Sequence, residues 1–475
     1  MEYRNNKERG IVYPLPPIHD SHAQDARCGS AFSPRSLGRK SFRQPTIHLG
    51  ILTAVLAVLV AIAPAQSVPT NYFGLHMHSG VVSQQPWPTV SFGSIRLWDA
   101  AVAWKDINKS NGAYSWASLD KWLAAAQAHN DDLLYTFGRT PQWASSSPYE
   151  SGCSGGPGTC APPNDLNPDG SGTDQHFKDF VTALATHNKN SSTAHIKYWE
   201  LWNEPFNSPN WVGTIPQMVR MASDATAIIK SIDPSAIVLV PSVCIEGLQG
   251  RNWLDAYLSA GGKSYADAVA FHGYVQKPGT PLLAENILAY ISKTQAILAK
   301  YGLQNKPLWD TEASWGKSAV SSPAFNDADS RMGFVARMHL LQRSAGVARF
   351  YWYQWNSPSD LGTLWVPNPT NPLAAGTVLK PGIAYGQVEQ WMGGATMTSA
   401  CSANGTVWTC NLSRPNGYVA RAVWDTAQSC ANGTCTTSSY PVSTQFVQYR
   451  TLDGKIVPVT GSTVPIGYKP ILLEN

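Results

Sequence analysis

The sequence predicts an α/β fold, a (β/α)8 TIM barrel followed by a C-terminal β-sandwich. Two observations predict it. From residue 71 onward, short β-rich apolar runs alternate eight times with helical patterns, and after residue 392 the texture changes to short alternating runs between turn signals. The barrel strands are expected at Tyr72–His76, Ser94–Trp98, Leu133–Phe137, Ile196–Trp202, Ile237–Val240, Ala268–His272, Pro307–Thr311 and Ala348–Tyr353. Amphipathic helices at Leu119–His129, Gln175–His187, Ile215–Ser231, Leu283–Lys300 and Ala328–Ser344 separate them, with apolar residues recurring at helical spacing. The largest insertion, Ser145–Gly172, is rich in Gly, Pro and Ser and follows the third strand on the face where barrels build their sites, so it reads as a rim or lid loop.

A closing helix near Tyr385–Met392 ends the barrel. Beyond it, runs at Thr406–Asn411, Tyr418–Val423, Gln445–Tyr449 and Ile456–Val459 are split by Asn-Gly, Asp-Gly and Gly-Ser turns, and Tyr468–Leu473 is expected to pair back into that sheet. The expected domains are therefore an N-terminal extension with signal peptide or anchor (1–65), the barrel (66–392) and the β-sandwich (393–475).

Arg35, Arg39, Lys40 and Arg43 precede an apolar run from Leu49 to Ala63, closed by Ala63-Pro64-Ala65. This order reads as a secretory signal with Gln66 as the first mature residue, or as a retained membrane anchor. The cysteine pattern agrees with export. Cys153 and Cys160, Cys401 and Cys410, and Cys430 and Cys435 stand as close pairs suited to local disulfides, and Cys244, at the end of an apolar strand, is expected to be a buried thiol. Net charge is only +4 and the basic residues are scattered, which excludes an electrostatic footprint for nucleic acid. Eighteen Trp and 19 Tyr supply flat rings of the kind that stack on sugar faces.

The chemistry is expected from Glu204 in Trp202-Asn203-Glu204-Pro205, after strand four, and from Glu312 in Asp310-Thr311-Glu312-Ala313, at the end of strand seven. Strands four and seven face each other across a barrel mouth, so the two carboxyls can converge on one bond. Glu200 and Asp310 lie deeper, and Glu200 is expected to form a structural ion pair with Arg96. His76 is expected to bond substrate, and Trp98, Trp143 and Trp315 stand near strand ends where sugars stack.

On these motifs the chain, from about residue 70 to its end, resembles the clan A glycoside hydrolases, and within them family 39 and its polysaccharide-cleaving relatives. The resemblance implies that Glu204 is the acid/base and Glu312 the nucleophile, with Asn203 bonded to the sugar 2-hydroxyl. It also implies that His272 and Tyr274 stand beside the nucleophile, that Arg96 is the cation near it, and that Trp355 floors the sugar. The pattern departs at Ala313 and Phe206, where family 39 members often carry Trp and Asn.

The expected function is thus a retaining β-glycosidase acting on an oligo- or polysaccharide, with no metal and no organic cofactor. It is expected to be secreted or periplasmic, with no nucleic-acid partner and membrane contact only through an uncleaved N-terminal segment. Three other readings stay open: a non-catalytic carbohydrate-binding barrel, a clan A endo-glucanase or mannanase of another family, and an inverting hydrolase. The sequence sets no oligomeric state and no sugar.

Overall fold

The computed structural model describes residues 67–276, 282–316, 325, 327–357, 361–371 and 373–475. The expected signal or anchor at 1–65 lies outside them. Eight parallel strands form the barrel: β1 (Phe73–His76), β2 (Ser94–Leu97), β3 (Asp132–Thr136), β4 (Tyr198–Glu200), β5 (Ile237–Leu239), β6 (Val269–His272), β7 (Leu308–Ala313) and β8 (Val347–Trp352). The sheet runs β5-β4-β3-β2-β1-β8-β7-β6, and parallel bridges Leu239↔Ala268 and Cys244↔His272 join β5 to β6 and close the cylinder. All eight observed strands overlap the expected ones.

Helices α1 (Trp104–Ile107), α2 (Ala117–His129), α3 (Gln175–Lys189), α4 (Ile215–Ile232), α5 (Leu248–Ser259), α6 (Asn286–Lys300), α7 (Ala328–Ser344) and α8 (Lys380–Met392) connect or follow the strands. Two of these helices start on a side-chain cap. At α4 the Thr214 hydroxyl accepts from the Gln217 amide and the Gln217 side chain accepts from the Thr214 amide, so two otherwise unpaired N–H groups are satisfied reciprocally. At α7, Asp327 accepts from the amides of Asp329 and Ser330.

Strand alternation sorts the barrel interior into layers. Leu134, Leu239, Ala268, Ala270, Trp309 and Tyr351 fill the lower and middle layers. Arg349 lies among them, 4.2 Å from the Tyr198 ring and 4.5 Å from that of Trp309, with its charge met by Asp132 at 2.6 Å. A cation stacked between rings needs little water, which makes its burial tolerable. Gly74 belongs to the same packing: a Cβ there would come within 2.4 Å of the Tyr351 ring. Above these layers the inward side chains turn polar, and this level carries the site.

From residue 393 the chain forms a seven-stranded antiparallel sheet containing Val407–Arg414, Tyr418–Asp425, Ile471–Glu474, Gln448–Arg450 and Ile456–Pro458. A two-stranded ribbon, Thr437–Pro441 with Thr463–Gly467, makes a smaller second layer. Alternation along Tyr418–Asp425 explains the two faces: Ala420, Ala422 and Trp424 join the barrel core, while Val423 packs with Val464, Ile466 and Leu473 under the ribbon. The Trp424 indole donates to Glu285, which also pairs with the buried Arg337, so the sheet is tied to the barrel by polar contacts as well as packing.

Disulfides join Cys153 to Cys160, Cys401 to Cys410 and Cys430 to Cys435, the three expected local pairs. Cys244 corrects its expectation: it is buried, but it is disulfide-bonded rather than a thiol. No described helix is long and apolar enough to cross a membrane.

Asp174, at the start of α3, is buried with no donor to either carboxyl oxygen. Burial, and then the neighbouring Asp224, raise its pKa to about 8. A folded-state pKa above the unfolded value of about 4 means that the native chain binds a proton that the unfolded chain has lost. This contribution to stability is complete below the unfolded pKa and disappears as pH rises through the folded one. Asp174→Asn should therefore flatten the profile: across the window from about pH 4 to about pH 8 the melting temperature of the wild type should fall relative to the variant. Parallel melting curves would show otherwise.

Candidate active site

The polar layer is organised by Arg96, the inward side chain at the end of β2, which no solvent reaches. Its Nε donates to Glu200 Oε2 at 2.6 Å, Nη1 to Glu312 Oε2 at 2.9 Å and Nη2 to Asn203 Oδ1 at 2.7 Å. One guanidinium thereby fixes residues from β4, the turn after β4 and β7. A planar fork with five donors suits this task and a lysine does not. Burial alone would lower the Arg96 pKa, but Glu200 and Glu312 outweigh it and raise it.

Glu200 is the structural partner, as expected. Its two oxygens also accept from Thr136 Oγ1 at 2.6 Å and Thr311 Oγ1 at 2.7 Å. Burial opposes its charge, yet Arg96 and these donors hold its pKa below the usual carboxylate value. Asp310 points the other way, under α7, where Gln342, Gly273 and the Glu312 amide all donate to it.

Glu312 reaches the interior because β7 is irregular. Strict alternation that puts Trp309 and Thr311 inside would put Glu312 outside. The register instead slips by one residue, pairing Phe271 with Asp310 but His272 with Glu312, so both Thr311 and Glu312 contact the inner layer. A bulge commonly re-aims a side chain in this way. The second Glu312 oxygen accepts from the Tyr274 hydroxyl at 2.9 Å.

Glu204 is placed by the turn after β4, where Asn203 bridges to Ser242 in parallel and the Glu204 amide donates to the Ser242 carbonyl at 3.0 Å. Its backbone is left-handed, φ 49°, which costs a non-glycine residue about 1–2 kcal/mol. Glu204 Oε1 lies 2.7 Å from His272 Nδ1 and 3.0 Å from the Cys244 sulfur, and Oε2 accepts from Asn210 Nδ2 at 3.3 Å. His272 is the register partner of Glu312, and Tyr274, two residues further on, bonds Glu312 directly. The end of β6 therefore links the two glutamates, both at the C-terminal mouth of the barrel.

Glu204, Cys244 and His272 present atoms within 4.8 Å of one another, a metal-like donor set. The sulfur that binds metals is the thiolate, however, and while Cys244 is disulfide-bonded this set does not fit an ion.

The remaining expected residues divide. His76 lies inside the cluster. Its Nε2 donates to the Thr311 carbonyl at 2.8 Å, and burial, followed by the charge of Arg96, keeps its pKa well below the usual histidine value, so the ring is neutral. Trp98 sits at the rim with the Arg139 guanidinium 4.4 Å above its ring. Trp143 is half-buried and donates to the Asn108 carbonyl, outside the carboxylate cluster. Trp355 is buried beside the cluster, its amide donating to the His76 carbonyl and its ring parallel to that of Trp365. Trp315 corrects its expectation as a sugar-stacking ring: it is fully buried, edge-on to Trp352 and against Phe325. Sequence reasoning missed Thr136, Thr311, Asn210 and Tyr353. Thr136 and Thr311 carried a signal in the inward alternation of their strands and Asn210 none, while Tyr353 continues the inward alternation of Arg349 and Tyr351. Its hydroxyl donates to Asp99, which pairs with Arg139.

Residues 171–367 match the family of the glycosyl hydrolase catalytic core. That span contains both glutamates, His272, Tyr274 and Trp355. The chain superposes on a monomeric β-xylosidase from Caulobacter crescentus with TM-score 0.59 at 15% identity, over 86% of this chain and 97% of the other. The catalytic domain of a GH30 xylanase C from Talaromyces cellulolyticus gives 0.57 at 15% identity, over 86% and 97%. A glucosidase from Croceicoccus marinus gives 0.55 at 13%, over 86% and 95%. At these identities the likeness is one of fold. No curated protein sequence matches the chain.

Proposed function

We propose that the chain is a retaining β-glycosidase of clan A, most like family 39, with Glu312 as nucleophile and Glu204 as acid/base. The carrying observation is the asymmetric setting of the two carboxyls. Glu312 takes hydrogen bonds from a guanidinium and a phenol, both of which favour its charged form, while Glu204 faces an imidazole and an amide. In the first step a Glu312 oxygen bonds the anomeric carbon as the C–O bond to the leaving group breaks, and Glu204 gives its proton to the departing oxygen. In the second, Glu204 takes a proton from water, whose oxygen displaces Glu312 and releases the sugar. Asn203, fixed by Arg96, would bond the 2-hydroxyl, with His76, Trp98 and Trp355 around the ring.

The family match and the superposed xylosidase, xylanase and glucosidase support a β-linked xylo- or gluco-configured oligo- or polysaccharide as substrate. The three disulfides among the described residues support export, with 1–65 as signal or anchor, 66–392 as the catalytic barrel and 393–475 as an accessory domain.

The deciding test is stereochemical. Proton NMR of fresh hydrolysate from aryl β-xylosides and β-glucosides should show the β-anomer first, before mutarotation. Initial release of the α-anomer would make the enzyme inverting, and no turnover on any aryl or polymeric β-glycoside would favour a binding protein.

A further inference from the structure

The loop closed by the Cys153–Cys160 disulfide is joined to Glu204 by a short chain of contacts. Ser154, inside that loop, donates its amide to the Pro209 carbonyl at 2.8 Å and its hydroxyl to Asn210 Oδ1 at 2.6 Å. The Val212 amide donates to the Cys160 carbonyl at 2.9 Å. Residues 209–212 are thus clamped at both ends of the disulfide loop. Below them the buried Trp202 indole donates to the Asn210 carbonyl at 3.1 Å and packs edge-on against Trp211.

These contacts orient one amide group. With Oδ1 accepting from Ser154, Asn210 must turn Nδ2 toward Glu204, where it meets Oε2 at 3.3 Å. The other Glu204 oxygen faces His272 Nδ1 at 2.7 Å, and Oε2 is held by Asn210 through the 3.3 Å contact. A bond of that length is soft enough to admit substrate and still fix the rotation of the carboxyl.

We infer that Asn210 is a positioning residue for the proton donor, and that the Cys153–Cys160 loop holds it in place through Ser154. This rests on the proposed glycosidase reading. It assigns the disulfide loop a part in the chemistry, beyond walling the cleft.

The test uses leaving groups. A methyl β-glycoside needs its oxygen protonated as the C–O bond breaks, whereas a 2,4-dinitrophenyl β-glycoside departs as a stable anion without a proton. With the sugar, xylose or glucose, that the wild type cleaves faster, Asn210→Ala should lose about tenfold in kcat/KM on the methyl glycoside, a fraction of what general acid catalysis supplies, and much less in kcat/KM on the dinitrophenyl glycoside. Cys153→Ser/Cys160→Ser should show the same selective loss, and adding Asn210→Ala to it should cost little more, because both act on one contact. Circular dichroism melts would confirm that each variant is folded. Equal losses on the two glycosides would reduce Asn210 to a structural role and overturn the inference. Full activity of the disulfide variant on the methyl glycoside would overturn the part assigned to the loop. Wild-type inactivity on both substrates would instead defeat the glycosidase reading itself.

Discussion

Glu312→Gly should lower kcat/KM on every glycoside by on the order of 10⁴-fold or more, and Glu204→Ala should do so only where the leaving group needs a proton. A lost nucleophile removes the covalent route for all substrates alike. A lost acid leaves activated aryl glycosides able to form the glycosyl-enzyme, so the deficit on poor leaving groups is the 10²–10⁴-fold roughly expected of general acid catalysis. Azide separates the two roles more sharply, because it is small, nucleophilic and needs no general base. In Glu312→Gly it would fill the space of the missing carboxylate and attack the sugar directly, giving a glycosyl azide of inverted configuration. In Glu204→Ala it would attack the glycosyl–Glu312 ester from the opposite face, giving retained configuration. Polarimetry or NMR of the azide products reads this directly. Retained product from Glu312→Gly, or rescue in neither variant, would reverse or abolish the assignment that the setting of the two carboxyls supports.

The barrel was legible because β-branched and aromatic runs of four to six residues repeat between amphipathic stretches, and this alternation has few other solutions. Glu204 and Glu312 were legible because both fall at strand ends. Side-chain direction past those ends was less so. Counting alternate residues along β7 puts Thr311 inside and Glu312 outside, and only the slip in register against β6 admits both. Trp315 was misread for a related reason: its position near a strand end says nothing about which side it faces, and packing sends it toward Trp352. Asn210 had no signal at all, since its task depends on a disulfide loop about 50 residues earlier in the chain meeting the turn after β4. The ribbon of Thr437–Pro441 with Thr463–Gly467 was missed because its strands, Thr-Ser-Ser-Tyr-Pro and Thr-Val-Pro-Ile-Gly, carry few apolar residues and a proline each, although burial alternates along both.

Arg96→Met should destabilise the fold by about 3–5 kcal/mol, a loss larger than removal of either glutamate partner would cause. Arg96 is buried, and it offsets two buried carboxylates as well as fixing Asn203. Removing it leaves Glu200 in the barrel interior with only the Thr136 and Thr311 hydroxyls, which donate hydrogen bonds but no charge. Glu200 would then protonate, and its stabilising low pKa would be lost. Replacing Glu200 by Met as well should recover much of the stability, because taking out both members of a buried pair leaves no uncompensated charge. The double variant should nevertheless stay inactive. Glu312 would have lost the cation that favours its charged form and Asn203 its anchor, so the site would be present but neither charged nor held. Chemical denaturation of the wild type, Arg96→Met and Arg96→Met/Glu200→Met, with hydrolysis measured in parallel, separates these effects. A double variant as unstable as Arg96→Met would mean that Arg96 stabilises the barrel mainly through Glu312 and Asn203, and recovered activity would remove Arg96 from the chemistry.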